Sequence, residues 1–106
     1  MNEVIARLRQ FRDDRDWKQF HNPKDLALAL SIESAELLEA FLWKSPDQAD
    51  PDKVKEELAD VFAFALLLAD AYDFDVETII LDKIDQNEKK YPVSKAKGTA
   101  KKYTEL

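Results

Sequence analysis

Two pairs of acids carry the chemistry of this sequence. Glu33 and Glu36 lie in SIESAELLEAFLWKS, residues 31–45, and Glu57 and Asp60 lie in VKEELADVFAF, residues 54–64. Each pair is spaced i, i+3, which puts both carboxylates on one face of a helix. Each of those faces is otherwise apolar: Leu26, Ala29, Leu30, Leu37 and Ala40 flank Glu33, and Val54, Leu58, Val61, Phe64 and Leu68 flank Glu57. A short loop joins the two segments, so their helices are expected as antiparallel neighbours with four carboxylates converging between them. Burying such groups is costly, and like charges add to the cost, unless protons or cations compensate. An all-oxygen cluster suits a hard divalent cation, Mg²⁺ first, with Mn²⁺ as a substitute. Either pair alone reads more simply as a solvated face. Two pairs on two apolar stripes favour metal.

A later segment shows the same anomaly with the opposite sign. Ile79 and Ile80 are followed along one stripe by Lys83, Asn87, Lys90 and Tyr91. Lysine is a point-charge partner for phosphate. Lysines also suit the C-terminal end of any helix, because they complement its dipole. Beside the acid cluster, the stripe fits a polyphosphate bridged by Mg²⁺ on one side and lysines on the other. Trp17, Phe20 and His21 in one connection, and Trp43 at the end of a helix, supply aromatic faces on which a nucleobase could stack.

The elements that position these groups read as helices throughout. Val4, Ile5, Leu8 and Phe11 have helical spacing in residues 2–15. Asn22 before Pro23 is an N-cap followed by proline at N1, opening a helix expected to run to Trp43. SPDQADPD, residues 45–52, is a break. A third helix is expected from Asp52 to Tyr72, and a fourth from Val76 to Lys90, stopped by Pro92. The pattern predicts an all-α bundle of about four helices, with residues 1–92 as one domain and the basic stretch 93–106 as a tail or docking segment.

Composition agrees. The 106 residues are 45% hydrophobic and 36% charged, with one glycine and four prolines, so the chain reads as ordered and helical rather than turn-rich. The net charge of −6 disfavours binding driven by nucleic-acid phosphates. The chain contains no cysteine, which excludes disulfides, thiolate metal sites and Cys nucleophiles. Its start is charged, and its longest apolar run, VFAFALLLA, is far below the ~20 residues a membrane span needs. A cytoplasmic protein without nucleic-acid or membrane partners is the expectation.

The acid motifs resemble the MazG-like all-α nucleoside triphosphate pyrophosphohydrolases. That family's pattern is EExxE, a spacer, then ExxD; here Ile32 replaces the first Glu, and Glu33, Glu36, Glu57 and Asp60 match the rest. RDWKQFHNPKDLALAL, LWK, EELADV, KIDQNEKKYP and KKYTEL are similar to the dCTP pyrophosphatase branch, from about Val4 to Leu106. The resemblance implies Mg-dependent hydrolysis of a (deoxy)nucleoside triphosphate, such as dCTP or a related pyrimidine dNTP, to the monophosphate and pyrophosphate, for housekeeping of the nucleotide pool. It implies Mg²⁺ on the four acids, with Glu33 or Glu36 as general base. Trp17, Phe20, His21 and Trp43 would contact the nucleotide, and Lys83, Asn87, Lys90 and Tyr91 the phosphates or pocket wall. Phe64 stands where the branch usually has tyrosine. A homodimer or homotetramer is implied, in line with more apolar side chains than one thin bundle can bury. The rival is a non-catalytic helical interaction module, with the acids as salt-bridge partners for Lys83 and Lys90. A di-iron bundle is set aside, because it needs Glu-x-x-His on two helices and His21 is the only histidine.

Overall fold

The computed structural model describes residues 1–106. It is helical with no strand: α1 (Asn2–Asp14), α2 (Pro23–Glu39), α3 (Pro51–Ala71), α4 (Val76–Lys90) and α5 (Val93–Ala96). Short 3₁₀ turns occupy Lys18–Phe20, Pro46–Gln48 and Tyr103–Glu105. No helix is long and apolar enough to cross a membrane. The chain divides into two compact units, Met1–Asp73 and Phe74–Leu106.

In the first unit the starts of α2 and α3 are written in the sequence. The Asn22 side chain accepts from the Asp25 N–H at 2.9 Å, with Pro23 next in line. Asp50 does the same for Asp52 at 3.0 Å, ahead of Pro51. These caps satisfy amide donors that the first turn leaves open. The end of α1 is equally specific. Asp16 adopts a left-handed φ of 53°, the Trp17 N–H reaches the Arg12 carbonyl at 3.0 Å, and the Asp16 N–H reaches that of Asp13 at 3.0 Å. This paired closure reverses the chain and returns the Trp17 ring edge-on to Phe11, centroids 5.7 Å apart.

The α2 helix stops at Glu39, earlier than the expected Trp43. The amides of Ala40, Phe41, Leu42 and Lys44 turn to i−3 carbonyls, and Trp43 takes a φ of 60°. The Ser45–Pro46 step that follows bars any resumption of the helix, since proline cannot continue one. The 40–50 connection is then braced by the Ser45 N–H donating to Gln48 Oε1 at 2.7 Å.

The α2 and α3 helices form the main packing pair, with α1 laid against α3. Asn22 and Pro23 at the start of α2 share a groove with Asp70 and Ala71 at the end of α3, so the two helices run antiparallel. Arg9 ties α1 to α3: its Nε donates to Asp70 Oδ2 at 2.9 Å and its Nη2 to Oδ1. That guanidinium holds the Asp70 carboxyl below its ordinary range. The core is thin. Leu26, Ala40, Leu66, Leu67 and Ala69 are its buried apolar residues. Leu58, expected on the inner stripe of α3, is 39% exposed, whereas Leu67 is buried in its place.

In the second unit, Asp75 caps α4 by accepting from the Thr78 N–H at 3.1 Å. Beyond Pro92 the chain forms α5 and turns at Gly98, whose φ of 79° side chains rarely adopt. It then returns Tyr103 to the end of α4: the Tyr91 and Tyr103 rings meet edge-on at 6.0 Å, and Lys90 Nζ lies 4.9 Å over the Tyr103 ring.

Leu26 is only 2% exposed at the α2–α3 contact. Leu26→Ala is expected to destabilise the fold by about 2–5 kcal/mol in urea denaturation, through lost burial and a residual cavity.

Candidate functional site

Three carboxylates meet where α2 and α3 pack. Glu33 and Glu36 from α2 and Glu57 from α3 each offer an oxygen, and these atoms lie within 4.8 Å of one another. The i, i+3 spacing on α2 puts two acids on the side facing α3, and antiparallel packing brings Glu57 to meet them. Glu57 is 8% exposed, the only buried charged residue of the chain. Its Oε1 accepts from Lys53 Nζ, one turn earlier on the same helix, at 2.7 Å. Its Oε2 is buried without a hydrogen-bond partner, and so is Oε2 of Glu33.

An unpartnered buried carboxylate oxygen is expensive, and two facing each other are more so. The protein answers with a proton. Glu33 is pushed up from an ordinary value of 4.5 to about 7, by burial first, then by its hydrogen bond and repulsion with Glu36, then by the charges of Asp60 and Glu57. The donor set fits a divalent cation: all ligands are oxygen, they converge from two helices, and two lone pairs lack a protein donor. Lys53 neutralises only one oxygen.

Asp60, expected to complete the cluster, lies one turn on from Glu57. It is exposed and opens into an adjoining cavity of about 250 Å³. That cavity is mainly apolar and is lined by Trp17, His21, Phe64 and Leu67 together with Leu8, Phe11 and Arg12 of α1. Its aromatic rings are in register: Trp17 and His21 have centroids 6.5 Å apart, and His21 meets Phe64 edge-on at 6.3 Å. Burial, and then the charge of Arg12, hold His21 below its usual value, so the imidazole is neutral at pH 7. Its Nδ1 is buried and unpartnered.

The structure thus brings together Glu33, Glu36 and Glu57, and joins Asp60, Trp17, His21 and Phe64 in the next cavity. Phe20 and Trp43 do not line it; they are 61% and 93% exposed. Lys83, Asn87, Lys90 and Tyr91 lie in the second unit, on α4 and just beyond it. There Lys83 Nζ is 3.4 Å from Gln86 Oε1. Two residues escaped the sequence reading. Lys53 is the i−4 partner of Glu57. Arg12 continues the covered stripe of α1 after Ile5 and Leu8, at i+7 and i+4. The signal was there: a charge on an apolar stripe, the same irregularity that singled out Glu33.

Residues 28–106 match the MazG-like family, and the chain belongs to it. It is 40% identical to a mouse protein named dCTP pyrophosphatase 1, over 98% of this chain and 66% of that protein. It is 39% identical to the human protein of that name, over the same shares. The chain thus spans slightly less than two thirds of the length of these relatives. Its fold is similar to the crystal structure of a pyrophosphatase from Archaeoglobus fulgidus, with a TM-score of 0.81 and 41% identity, covering 87% of this chain and 92% of that one.

A proton that the folded protein keeps and the unfolded chain releases makes stability fall as pH rises through the interval from 4.5 to about 7. In EDTA, the melting temperature is expected to drop from about pH 5 to about pH 8, and Glu33→Gln to flatten that drop. Each kcal/mol regained raises the midpoint by about 4–8 °C. Calorimetry at a series of pH values reads the slope; an unchanged slope in the variant assigns it to another group.

Proposed function

We propose that this MazG-like protein hydrolyses a pyrimidine deoxynucleoside triphosphate, dCTP or a close relative of it, to the monophosphate and pyrophosphate. The observation that carries the reading is the group of three carboxylates with two buried, unpartnered oxygens, opening at Asp60 into an aromatic cavity. A cation site continuous with a base-sized apolar pocket suits a molecule with a polyphosphate at one end and a flat ring at the other. The names of the relatives point the same way.

Glu33, Glu36, Glu57 and Asp60 are proposed to hold Mg²⁺, which when bound neutralises phosphate oxygens and acidifies the attacking water. Glu33 or Glu36, whose carboxylate oxygens lie side by side, accepts the proton of the water that attacks the α-phosphorus. Lys53 fixes the Glu57 carboxylate, so that its remaining oxygen keeps its place between the helices. Trp17, His21 and Phe64 hold the base on apolar surface and exclude water from that end. Phe20 and Trp43 are proposed as outer contacts of the nucleotide. Lys83, Asn87, Lys90 and Tyr91 are proposed as partners of the departing pyrophosphate on chemical grounds, two cations and two hydrogen-bonding groups on one stripe. No covalent intermediate forms, because no activated nucleophile is present.

The working form is proposed to be a homodimer or homotetramer. Its support is the number of apolar pairs left uncovered at i, i+4 spacing. Leu28 and Ile32 on α2 are 52% and 61% exposed, Leu58 and Phe62 on α3 are 39% and 59%, and Ile80 and Ile84 on α4 are 53% and 45%. Helices that are apolar on a second face belong in an interior.

Incubation with each dNTP and NTP, with Mg²⁺ or EDTA, followed by anion-exchange chromatography, tests the reaction. Monophosphate and pyrophosphate are expected only with Mg²⁺, and Glu57→Gln is expected to lose at least about 100-fold in rate. Diphosphate with orthophosphate would place the attack at the wrong phosphorus. No turnover of any triphosphate would favour an interaction module instead. By sedimentation velocity, the wild type is expected to be an oligomer and Ile32→Glu to shift it toward monomer. A monomeric wild type would remove the oligomer from the proposal.

A further inference from the structure

We propose that Arg12 is a specificity-determining residue: through its two terminal amines it reads the pyrimidine edge of the nucleotide and selects cytosine. This rests on the nucleotide reading given above and adds to it the group that recognises the base.

Arg12 occupies a place that an ordinary surface arginine does not. It lies on the covered stripe of α1 with Ile5 and Leu8. Its side chain is only 11% exposed, whereas that of its neighbour Asp13 is 51% exposed. The side chain lines two cavities at once, the apolar one walled by Trp17, His21 and Phe64 and a polar groove of about 490 Å³ that also holds Arg9 and Lys18. Arg9 is occupied by Asp70, and Arg12 is not comparably paired. Its single hydrogen bond runs from Nε to Asp13 Oδ1 at 2.8 Å. That bond fixes the plane of the guanidinium and leaves the end-on fork, Nη1 and Nη2, without an acceptor in the protein. A largely covered side chain that lines the cavity and keeps two terminal amines free of protein acceptors is suited to meet a pair of acceptors.

Base chemistry names the pair. Two parallel N–H donors need two adjacent acceptors. On the edge used in base pairing, cytosine presents N3 and O2 side by side. Uracil and thymine place an N3–H donor between their carbonyls and so oppose a donor with a donor. Adenine sets an amino donor beside N1, and guanine sets donors at N1 and N2. Guanine offers a matching pair only at O6 and N7, on its other edge. Mismatched, the fork would set its N–H groups against an N–H of the base, which adds rejection to the loss of attraction. Asp60 lines the same cavity one helical turn from Glu57, so phosphates drawn to the acid cluster leave the base to rest against Trp17 and Phe64.

The test compares wild type with Arg12→Met, which keeps the apolar stem, and Arg12→Lys, which keeps the charge but not the fork. Two quantities are read: kcat/KM for dCTP, dUTP and dGTP, and affinity for the non-hydrolysable α,β-imido analogues of dCTP and dUTP with Mg²⁺, by tryptophan fluorescence. Circular dichroism melts confirm that the variants fold. Wild type is expected to prefer dCTP. Both variants are expected to lose about 5- to 100-fold of the dCTP-over-dUTP ratio, with dUTP itself nearly unchanged. An unchanged ratio, an equal loss for both nucleotides, or dGTP as the preferred substrate would overturn the role of Arg12. If no triphosphate is hydrolysed while imido-dCTP still binds better than imido-dUTP and Arg12→Met removes the difference, the hydrolytic reading falls and the base reading stands.

Discussion

The organisation of the first unit follows from one electrostatic constraint: Glu57 and Glu33 each keep a carboxylate oxygen away from water with nothing to donate to it. Ion pairs inside proteins commonly fail to recover their own desolvation, and a cluster of like charges is worse off still. The contacts around it lower that cost without removing it. Lys53 covers one oxygen of Glu57, and burial beside the other acids pushes Glu33 up to about 7, so that it gives up its proton less readily than a free glutamate. An arrangement that is unfavourable for the fold alone, yet assembled by both of the best-packed helices, is compatible with a divalent cation, which on binding the folded state would offset that cost.

The rest of the unit serves to hold that arrangement in register. On α3, Glu57, Asp60 and Phe64 follow at i, i+3 and i+7, so one stripe passes from acid cluster to aromatic wall. At about 1.5 Å rise per residue the stripe covers roughly 10 Å, the scale of a nucleotide from its phosphates to its base. The left-handed turn at Asp16 folds Trp17 back over α1, where Leu8 and Arg12 line the same cavity. Two proline-led N-caps, at Asn22 and Asp50, set where α2 and α3 begin and hence which turns face each other. A shift of one residue in either helix would rotate its acids by about 100° and disperse the site.

The price of so slender a frame is a small interior. The buried apolar residues are few, while each of α2, α3 and α4 leaves a further apolar pair uncovered. This imbalance is the same fact seen twice: helices whose one face is given to carboxylates and cavities must find their hydrophobic stability on the other.

Much of this was legible before any coordinates. The four long helices, the cap at Asn22 and the break over residues 45–52 depend on local backbone chemistry, which a sequence states directly; the short α5 beyond Pro92 and the caps at Asp50 and Asp75 emerged only with the structure. Glu33 and Glu57 stood out because a period of 3.6 residues made them intruders on apolar stripes. The early end of α2 was not legible, because residues 40–43 are compatible with helix. Arg12 was passed over because a single arginine on a short charged helix looks like solvated surface until the partner helix covers it. Nor could spacing separate Asp60 from the three acids that actually meet, or Trp17, drawn into a cavity wall, from Trp43, left 93% exposed. The sequence by itself determined which residues share a helix face, since that follows from backbone geometry alone. Only the tertiary structure decided which faces meet, how deeply each charge is buried and which donors remain unused, because those depend on distances between segments far apart in the chain.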